Sequence, residues 1–505
     1  MSGPNDAPDD ERPAREADAL LEGLFAEGDG IVGEAGWLPR LEADADLRET
    51  LVDEALLQSG LRRSFRRRQI GDWAVQRAVT VARRRRLALV AVASGVALGL
   101  AVFLASAVVP WRSYARVTAG AGDTALRTGA GLRGEIHELE RGFVTVTTRR
   151  GARLVIEAPA TFRFESPQRL LMNRGRVAAD VPPSAKGFTV ITPSGEAVDL
   201  GTRFAVDVPA EGESEVHVFE GEVVARGRTA PTARSLRGGE AFELASHASR
   251  ELRTAAFIRG DEARELAAAL GPGRDEESRS GLERLRRDPA VIAVIDFEDA
   301  AAPAASGGQY RIVQGRWPGS RAAEFARVGD HLPVDVGGGR EWPQLTLAAW
   351  VRLDAIGAPY QSLYHTDGWE QDNPGQVHWM ISQPGVMRLA LRAMRLSADA
   401  VEQHGFPDSR TSVLGAEGRW MHLAVVSDSD RRIVRFYLNG EFDSETTLAV
   451  APPARLGPAR IGNWNRNDRR LSGRIDDLVL LGRPLGDDEI RRLHAGGNPY
   501  REAAR

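Results

Sequence analysis

The sequence predicts a mainly β protein held at a membrane, with β structure outside the bilayer, one transmembrane helix and a short α-helical region on the inner side. Three observations carry this. Leu87 to Val109 form a 23-residue run with no charged side chain. Before residue 57, apolar residues recur at helical spacing. From Ala115 onward they recur at period two, with frequent turn signals between short segments.

The apolar run comes first because it divides the chain. At about 1.5 Å per residue it reaches roughly 35 Å, enough to cross a hydrocarbon core of about 30 Å. Only Ser94, Gly95, Gly99 and Ser106 in it are not hydrophobic, so it lacks the polar face of a soluble core helix. It lies too far from Met1 and is too long for a cleaved signal peptide. Arg83, Arg84, Arg85 and Arg86 stand at its N-terminal edge, whereas Trp111 and Tyr114 follow its C-terminal edge. The positive-inside bias then puts residues 1–86 in the cytoplasm and 111–505 outside, with the two aromatics as interface anchors.

Charge is distributed to match. The formal net charge is only −4, so no strong overall field points to nucleic acid. Residues 1–50 nevertheless carry a net −10 and residues 51–86 a net +7, which sets a basic stretch beside anionic lipid headgroups. The chain has no cysteine, which excludes disulfides and any cysteine-based zinc or redox site and suits a bacterial envelope protein. Its single lysine against 65 arginines reads as coding bias.

Within the inner part, residues 1–18 have the composition of a disordered segment. Leu20, Leu21, Leu24 and Phe25 then fall at helical spacing, as do Leu47, Leu51 and Ala55. Helices this short bury little by themselves, so Leu24, Leu47 and Leu51 are candidate contacts for a partner. A plain cytoplasmic tail is the alternative.

Residues 115–245 read as short strands separated by Arg149-Arg150-Gly151, Pro159, Pro167 and Asn173-Arg174-Gly175, the pattern of a β-roll or sandwich. Phe188, Val190, Phe204 and Val206 alternate toward one face, and Gly201 and Gly221 suit tight turns. Lys186, Asp199, Asp207 and Glu220 read as turn and solvent-face residues. Leu170-Leu171, Gly175-Arg176, Phe188-x-Val190-x-Thr192-Pro193, Gly201-Thr202-x-Phe204 and Val218-x-Glu220-Gly221-x-Val223 together resemble the FecR domain. That resemblance implies a single-pass regulator in the bacterial inner membrane. Its periplasmic part would sense a signal, and its cytoplasmic part would bind an extracytoplasmic-function sigma factor.

Residues 246–289 are densely charged and predict two helices broken at Gly271-Pro272-Gly273, forming a spacer between two independently folding β units. The second unit, 291–496, carries Ala349-Trp350-Val351, Trp420-x-His422-x-Ala424, Tyr437-x-Asn439-Gly440, Ile461-Gly462-Asn463, Gly473-x-Ile475-Asp476-Asp477 and a closing Leu485…Glu489-Ile490. These segments resemble the LamG, or concanavalin A-like, jelly roll. Asp487 is placed to cap a short closing helix that docks Ile490 and Leu493.

The resemblance implies a fold more than a function. No Glu-x-Asp-x-x-Glu strand of the kind jelly-roll glycosidases use occurs after Val291, so no enzyme is expected. His365, His378, His404 and His422 lack ligand-like spacing, and His422 suits a packed position in the core. Asp296 and Asp476 fall on the predicted first and last strands, where a Ca²⁺ site would need several further oxygens; no other cofactor is implied. Tyr364, Trp369, Trp464 and Arg466 lie in polar segments that suit sugar stacking or a protein contact, while Trp379 is the aromatic best suited to the core.

The function expected is therefore an envelope sensor controlling a sigma factor through a LamG-like ligand-binding module. A structural or adhesive envelope protein, binding glycan or protein without a sigma partner, is the alternative. Topology is directly testable. Phosphatase fused near Gly273 should be active and near Gly60 inactive; the reverse pattern would overturn the map.

Overall fold

A computed structural model describes residues 113–500 except 123–125, 229–231, 270–273, 299–308, 357, 370–373 and 393–405, together with Ala43, Ala45, Asp46, Glu49, Thr50, Val52 and Asp53. The chain divides into two units, Met1–Ala107 and Val108–Arg505. The seven described residues of the first unit are helical, and Thr50 Oγ1 donates to the Asp46 carbonyl one turn back (2.8 Å). Leu24, Leu47, Leu51 and the 87–109 run lie outside the described residues. Among the described residues no helix is long and apolar enough to cross a membrane.

The second unit holds two β lobes. The first is built from β1 (Ala115–Ala121), β2 (Phe143–Thr148), β3 (Arg153–Ser166), β4 (Arg169–Asp180), β5 (Thr189–Thr192), β6 (Gly195–Asp199), β7 (Arg203–Val208), β8 (Glu215–Glu220) and β9 (Glu222–Gly227), with shorter flanking strands. The pairing runs β9-β6-β5-β4-β3-β2-β1, with β7 bridging β4 and β8. Strand β4 pairs in parallel with β5 along its first half and antiparallel with β7 along its second, so the sheet branches and rolls on itself. Phe188, Val190, Phe204 and Val206 all point into its core, as their alternation predicts. Gly221 turns β8 into β9 at φ +86°, where an added Cβ would lie 2.6 Å from Thr202 and 2.9 Å from the Gly201 carbonyl.

Two helices follow, α1 (Gly260–Ala269) and α2 (Arg274–Arg286). The second lobe contains β10 (Val291–Ile295), β11 (Arg311–Gln314), β12 (Arg321–Phe325), β13 (Gln344–Leu353), β14 (Tyr360–Thr366), β15 (Val377–Ser382), β16 (Val386–Leu391), β17 (Trp420–Asp428), β18 (Ile433–Leu438), β19 (Glu441–Thr447), β20 (Pro458–Ile461) and β21 (Gly473–Leu481), then α3 (Asp487–Gly497). One sheet runs β11-β12-β21-β13-β17-β18-β19, with β10 beside β21; the other is centred on β20-β14-β15-β16. Their facing sides bury Leu347, Ala349, Val351, Trp379, Leu389, Val425, Phe436 and Ile475 in one core, a sandwich of jelly-roll type. Asn439 and Gly440, both at positive φ, make the tight turn between β18 and β19. The closing helix docks Ile490 and Leu493 as expected, but its N-cap is Gly486. Asp487 is the first helical residue, and its carboxylate accepts a hydrogen bond from Tyr437 (2.8 Å).

The two lobes are not separated by a spacer. Helix α1 packs Ala263 and Leu266 against Ala121, Phe143 and Val155 of the first lobe, while α2 packs Leu285 with Ile490 and Leu481 of the second. Between the lobes runs the segment 253–258, with Ala256 and Phe257 buried against Ala178 and Ala205. The expected spacer is thus a packed connector that touches both lobes. The outer face of the first lobe's sheet is covered by the connecting segment, helix α1 and the second lobe, and beside these apolar contacts the cover carries a cluster of charge.

Arg176 on β4 is ion-paired with Asp207 on β7 (3.1 Å) and, across the seam, with Glu324 on β12. Arg311 on β11 reaches both Asp207 (2.7 Å) and Glu324 (2.6 Å). Arg474 on β21 meets Glu157 on β3 (3.2 Å) and donates to the Ala256 carbonyl (2.6 Å). Arg253 bridges Asp207 (3.5 Å), Glu215 (3.1 Å) and Asp354 (3.7 Å). Asp207 is therefore a buried seam residue and not a solvent-face one. The period-two pattern assigned it correctly to the face opposite Phe204 and Val206, but a single sequence does not reveal that a second domain covers that face. Asp199 is likewise buried, its carboxylate accepting from the Gly201 amide (2.8 Å) and from the Thr202 hydroxyl to close the turn.

Burial opposes ionisation of Asp207, yet Arg176, Arg311 and Arg253 together hold its carboxyl well below the usual carboxylate range. Removing one partner from such a lattice strands the others without water. Arg474→Met should thus lower unfolding stability by about 3–5 kcal/mol. Arg419→Ala, which breaks the exposed bidentate pair with Glu265 (3.0 Å), should cost at most about 1 kcal/mol. Urea unfolding midpoints of the two variants check the contrast; equal effects would contradict it.

Candidate ligand-binding site

The outward face of the β20-β14-β15-β16 sheet gathers most of the aromatic and polar residues singled out from the sequence. Along β15 the alternation is strict: Val377, Trp379 and Ile381 point into the core, so His378 and Met380 point out. On β14 the register shifts between Ser362 and Tyr364, and both Leu363 and Tyr364 fall in the core. His365 is then brought beside His378, with ring centroids 4.5 Å apart.

Trp464 closes over this pair. Its ring is stacked on His378 at 14° and lies 6.0 Å away between centroids. The Arg469 guanidinium sits 3.7 Å from the indole centroid, and the indole N–H donates to Asp468. Trp369 stands edge-on to His378 (6.1 Å), with Phe406 at 6.2 Å and the Arg392 guanidinium 5.6 Å from its ring. Arg469 also lies 4.7 Å from the Tyr360 ring. Arg388 is held by Asp408 through two short hydrogen bonds (2.6 and 2.7 Å).

Of the four residues proposed for ligand contact, Trp369 is half-buried and Arg466 exposed. Tyr364 is fully buried beside Trp379, and Trp464 is only 6% exposed. These two are corrected to structural roles: the register shift turns Tyr364 inward, and Arg469 and His378 cover the Trp464 ring. Trp379 is a core residue, as expected of the aromatic best suited to the core. The His365–His378 pair, Arg469 and Tyr360 escaped sequence reasoning. Alternation around Trp379 could have placed His378 on the outer face, but the stacking on Trp464 needs the fold.

Both histidines are neutral. Burial, with Arg469 nearby, lowers His365 to about 4. Burial, then His365 and Arg469, pushes His378 well below its ordinary value. Arg469 donates to His378 Nδ1 (3.3 Å), so Nε2 carries the proton and donates to the Ser362 hydroxyl (3.1 Å). The face thus offers aromatic edges and fixed guanidinium groups around a neutral imidazole pair. Such a surface can hold a planar or polyhydroxylated ligand by stacking and hydrogen bonds.

The carboxylates considered for Ca²⁺ lie elsewhere, at a cleft of about 410 Å³ lined by Arg141, Asp296, Glu298, Trp317, Asp476 and Asp477. There Asp296 is paired with Arg286 (2.7 Å). Arg316 meets Asp476 (3.4 Å) and Asp477, and also donates to the Gly497 carbonyl (2.9 Å). Each carboxylate is thus engaged by an arginine. Among the described residues no group of three or more His, Cys, Asp or Glu is arranged to hold a metal ion.

Comparison with known proteins agrees with this architecture. Residues 140–224 match the FecR protein family model, and residues 336–491 match that of the concanavalin A-like lectin/glucanases superfamily of laminin G type. No curated protein sequence matches the chain. Among solved structures, the botulinum neurotoxin serotype D binding domain is similar at 12% identity, covering 41% of this chain and 51% of that one with a TM-score of 0.31. The native heptameric SAP-like pentraxin from Limulus polyphemus is similar at 15% identity, covering 33% of this chain and 78% of that one with a TM-score of 0.26. The chain spans about half the length of the neurotoxin domain it matches. The chain therefore joins a FecR domain to a concanavalin A-like domain of the laminin G type.

Proposed function

We propose that the chain is a single-pass regulator of the bacterial inner membrane, sensing an envelope signal and controlling an extracytoplasmic-function sigma factor. The FecR domain supports the regulatory half of this reading, and the concanavalin A-like domain supports a ligand-binding half. The carrying observation is the seam: the two domains share buried ion pairs, so a ligand held by one is mechanically connected to the other. Residues 1–86 would lie in the cytoplasm and hold the sigma factor through Leu24, Leu47 and Leu51. Residues 87–109 would cross the membrane, and the β lobes would lie in the periplasm.

In this reading the protein works by binding and not by catalysis, and it needs no cofactor. A ligand on the outer face, touching Trp369 and Arg466, would favour one of two states of the chain by its differential affinity, and the cytoplasmic helices would hold the sigma factor in only one of them. The ligand chemistry favoured by that face is a glycan or a protein segment rich in hydrogen-bonding groups. The arginine-rich stretch at 62–86 would add electrostatic steering, while apolar burial would set the affinity for the sigma factor.

The test is capture. Residues 1–86 should retain a sigma factor from the organism's own lysate, and Leu47→Asp with Leu51→Asp should abolish that retention. If the wild-type segment captures none even at low salt, the regulator reading fails and the adhesive envelope protein takes its place.

A further inference from the structure

The charges at the seam do not balance. Arg176, Arg253, Arg311 and Arg474 form one contiguous lattice with Glu157, Asp207, Glu215, Glu324 and Asp354, four guanidinium groups against five carboxylates. The groups at its margins do not change the difference. Arg250 reaches Glu215 (4.0 Å) but is matched by Glu243, and Arg352 is matched by Glu262 (3.0 Å). His217 supplies no positive charge. Its Nδ1 accepts the Arg253 backbone N–H (3.4 Å), so the ring carries a single proton, on Nε2 toward Glu215 (3.3 Å).

An unmatched charge this deep is expensive, and a buried carboxyl avoids it by keeping its proton. The geometry says which carboxyl. Glu157 accepts from the Ile258 amide (2.6 Å) and Arg474, Asp207 from Arg176 and Arg311, Glu215 from Arg253, and Glu324 from Arg176 and Arg311. Asp354 differs. Its side chain is 0% exposed, neither of its oxygens accepts a hydrogen bond from the protein, and its nearest cation, Arg253, stands off at 3.7 Å. Facing it are Arg253 from the connecting segment, Glu324 from β12, Arg474 from β21 and Arg352 from its own end of β13. The three arginines are already engaged by Asp207 and Glu215, by Glu157, and by Glu262.

We infer that the seam is a proton-binding site: Asp354 is held as a neutral carboxylic acid while the two lobes are in contact, and it releases that proton to solvent when they part. The connecting segment stays with the first lobe in this separation, because Arg253 and Ile258 are bonded to Glu215 and Glu157 there, so His217 remains covered and does not titrate. Burial, then Glu324, raises Asp354 above its ordinary value near 3.8, in agreement with the geometry. The sign follows. A carboxyl raised in the closed state favours closure where it is protonated, and closure weakens as pH climbs from the open-state value through the closed-state one. The inference is independent of the sigma-factor reading.

Hydrogen exchange at the Gly142 amide reads the seam directly, because its acceptor is Gln314 Oε1 on the opposite lobe (2.8 Å). In the full-length chain, after correction for the chemical exchange rate, the opening constant should rise with pH above about 4, by up to about tenfold per unit, and then level off. Asp354→Asn and Asp354→Leu should each remove that rise and leave Gly142 better protected at pH 8 than in the unaltered chain. A flat or falling opening constant in the unaltered chain would overturn the inference, whether or not the variants fold. So would an unchanged rise in either variant, which would move the proton to another group such as Glu262.

Discussion

The interaction on which the rest of the outer structure depends is the buried lattice of arginines and carboxylates between the two β lobes. Each lobe has its own apolar core and would, by itself, expose a sheet face bearing ionisable groups. On the first lobe these are Glu157, Arg176 and Asp207; on the second they are Arg311, Glu324, Arg352 and Arg474. Placed together they remove one another from water, and the low-dielectric surroundings strengthen each attraction while making every missing partner costly. Geometry fixes the register of the lobes as a result. An apolar seam tolerates sliding, whereas Arg176 between Asp207 and Glu324 does not.

This constraint bears on how a signal could pass. A ligand-binding domain joined by a flexible spacer can engage its ligand without any consequence for its neighbour. Here the connecting segment 253–258 is part of the seam, with the Ala256 carbonyl accepting from Arg474 of one lobe and from Arg176 (3.4 Å) of the other. Tyr500 adds a second strap, packing near Ile258 and Leu266 while its hydroxyl accepts the Trp420 amide (2.8 Å). The FecR domain and the concanavalin A-like domain thus form one mechanical body. Relative motion between them requires breaking several ion pairs at once.

Much of the fold was legible in the sequence, because alternation and turn chemistry are local. Phe204 and Val206 against Asp207, the Asn439-Gly440 turn, and the helices on either side of Gly271-Pro272-Gly273 all read from short windows. What escaped was non-local. Nothing within a few residues of Asp207 or Arg474 tells that they will meet a second domain, and charged residues in a charged chain read by default as solvent-facing. The candidate ligand face shows the same division. Trp379 was expected in the core and lies there, but a one-residue register shift on β14 sent Tyr364 inward, and the stacking of His378 and Arg469 on Trp464 brings together residues about 90 positions apart.

One measurement tests the central claim that the lobes are a single unit. The FecR lobe, residues 115–245, contains no tryptophan, whereas the concanavalin A-like lobe carries Trp317, Trp342, Trp350, Trp369, Trp379, Trp420 and Trp464. With Trp37, Trp73 and Trp111, which lie outside both lobes, replaced by phenylalanine, tryptophan fluorescence reports unfolding of the second lobe, and far-ultraviolet circular dichroism reports the strands of both. During urea unfolding of the detergent-solubilised full-length chain, the two signals should follow one coincident transition. A dichroism change with a separate phase, in which strand structure persists after the fluorescence transition is complete or is lost before it begins, would contradict the account.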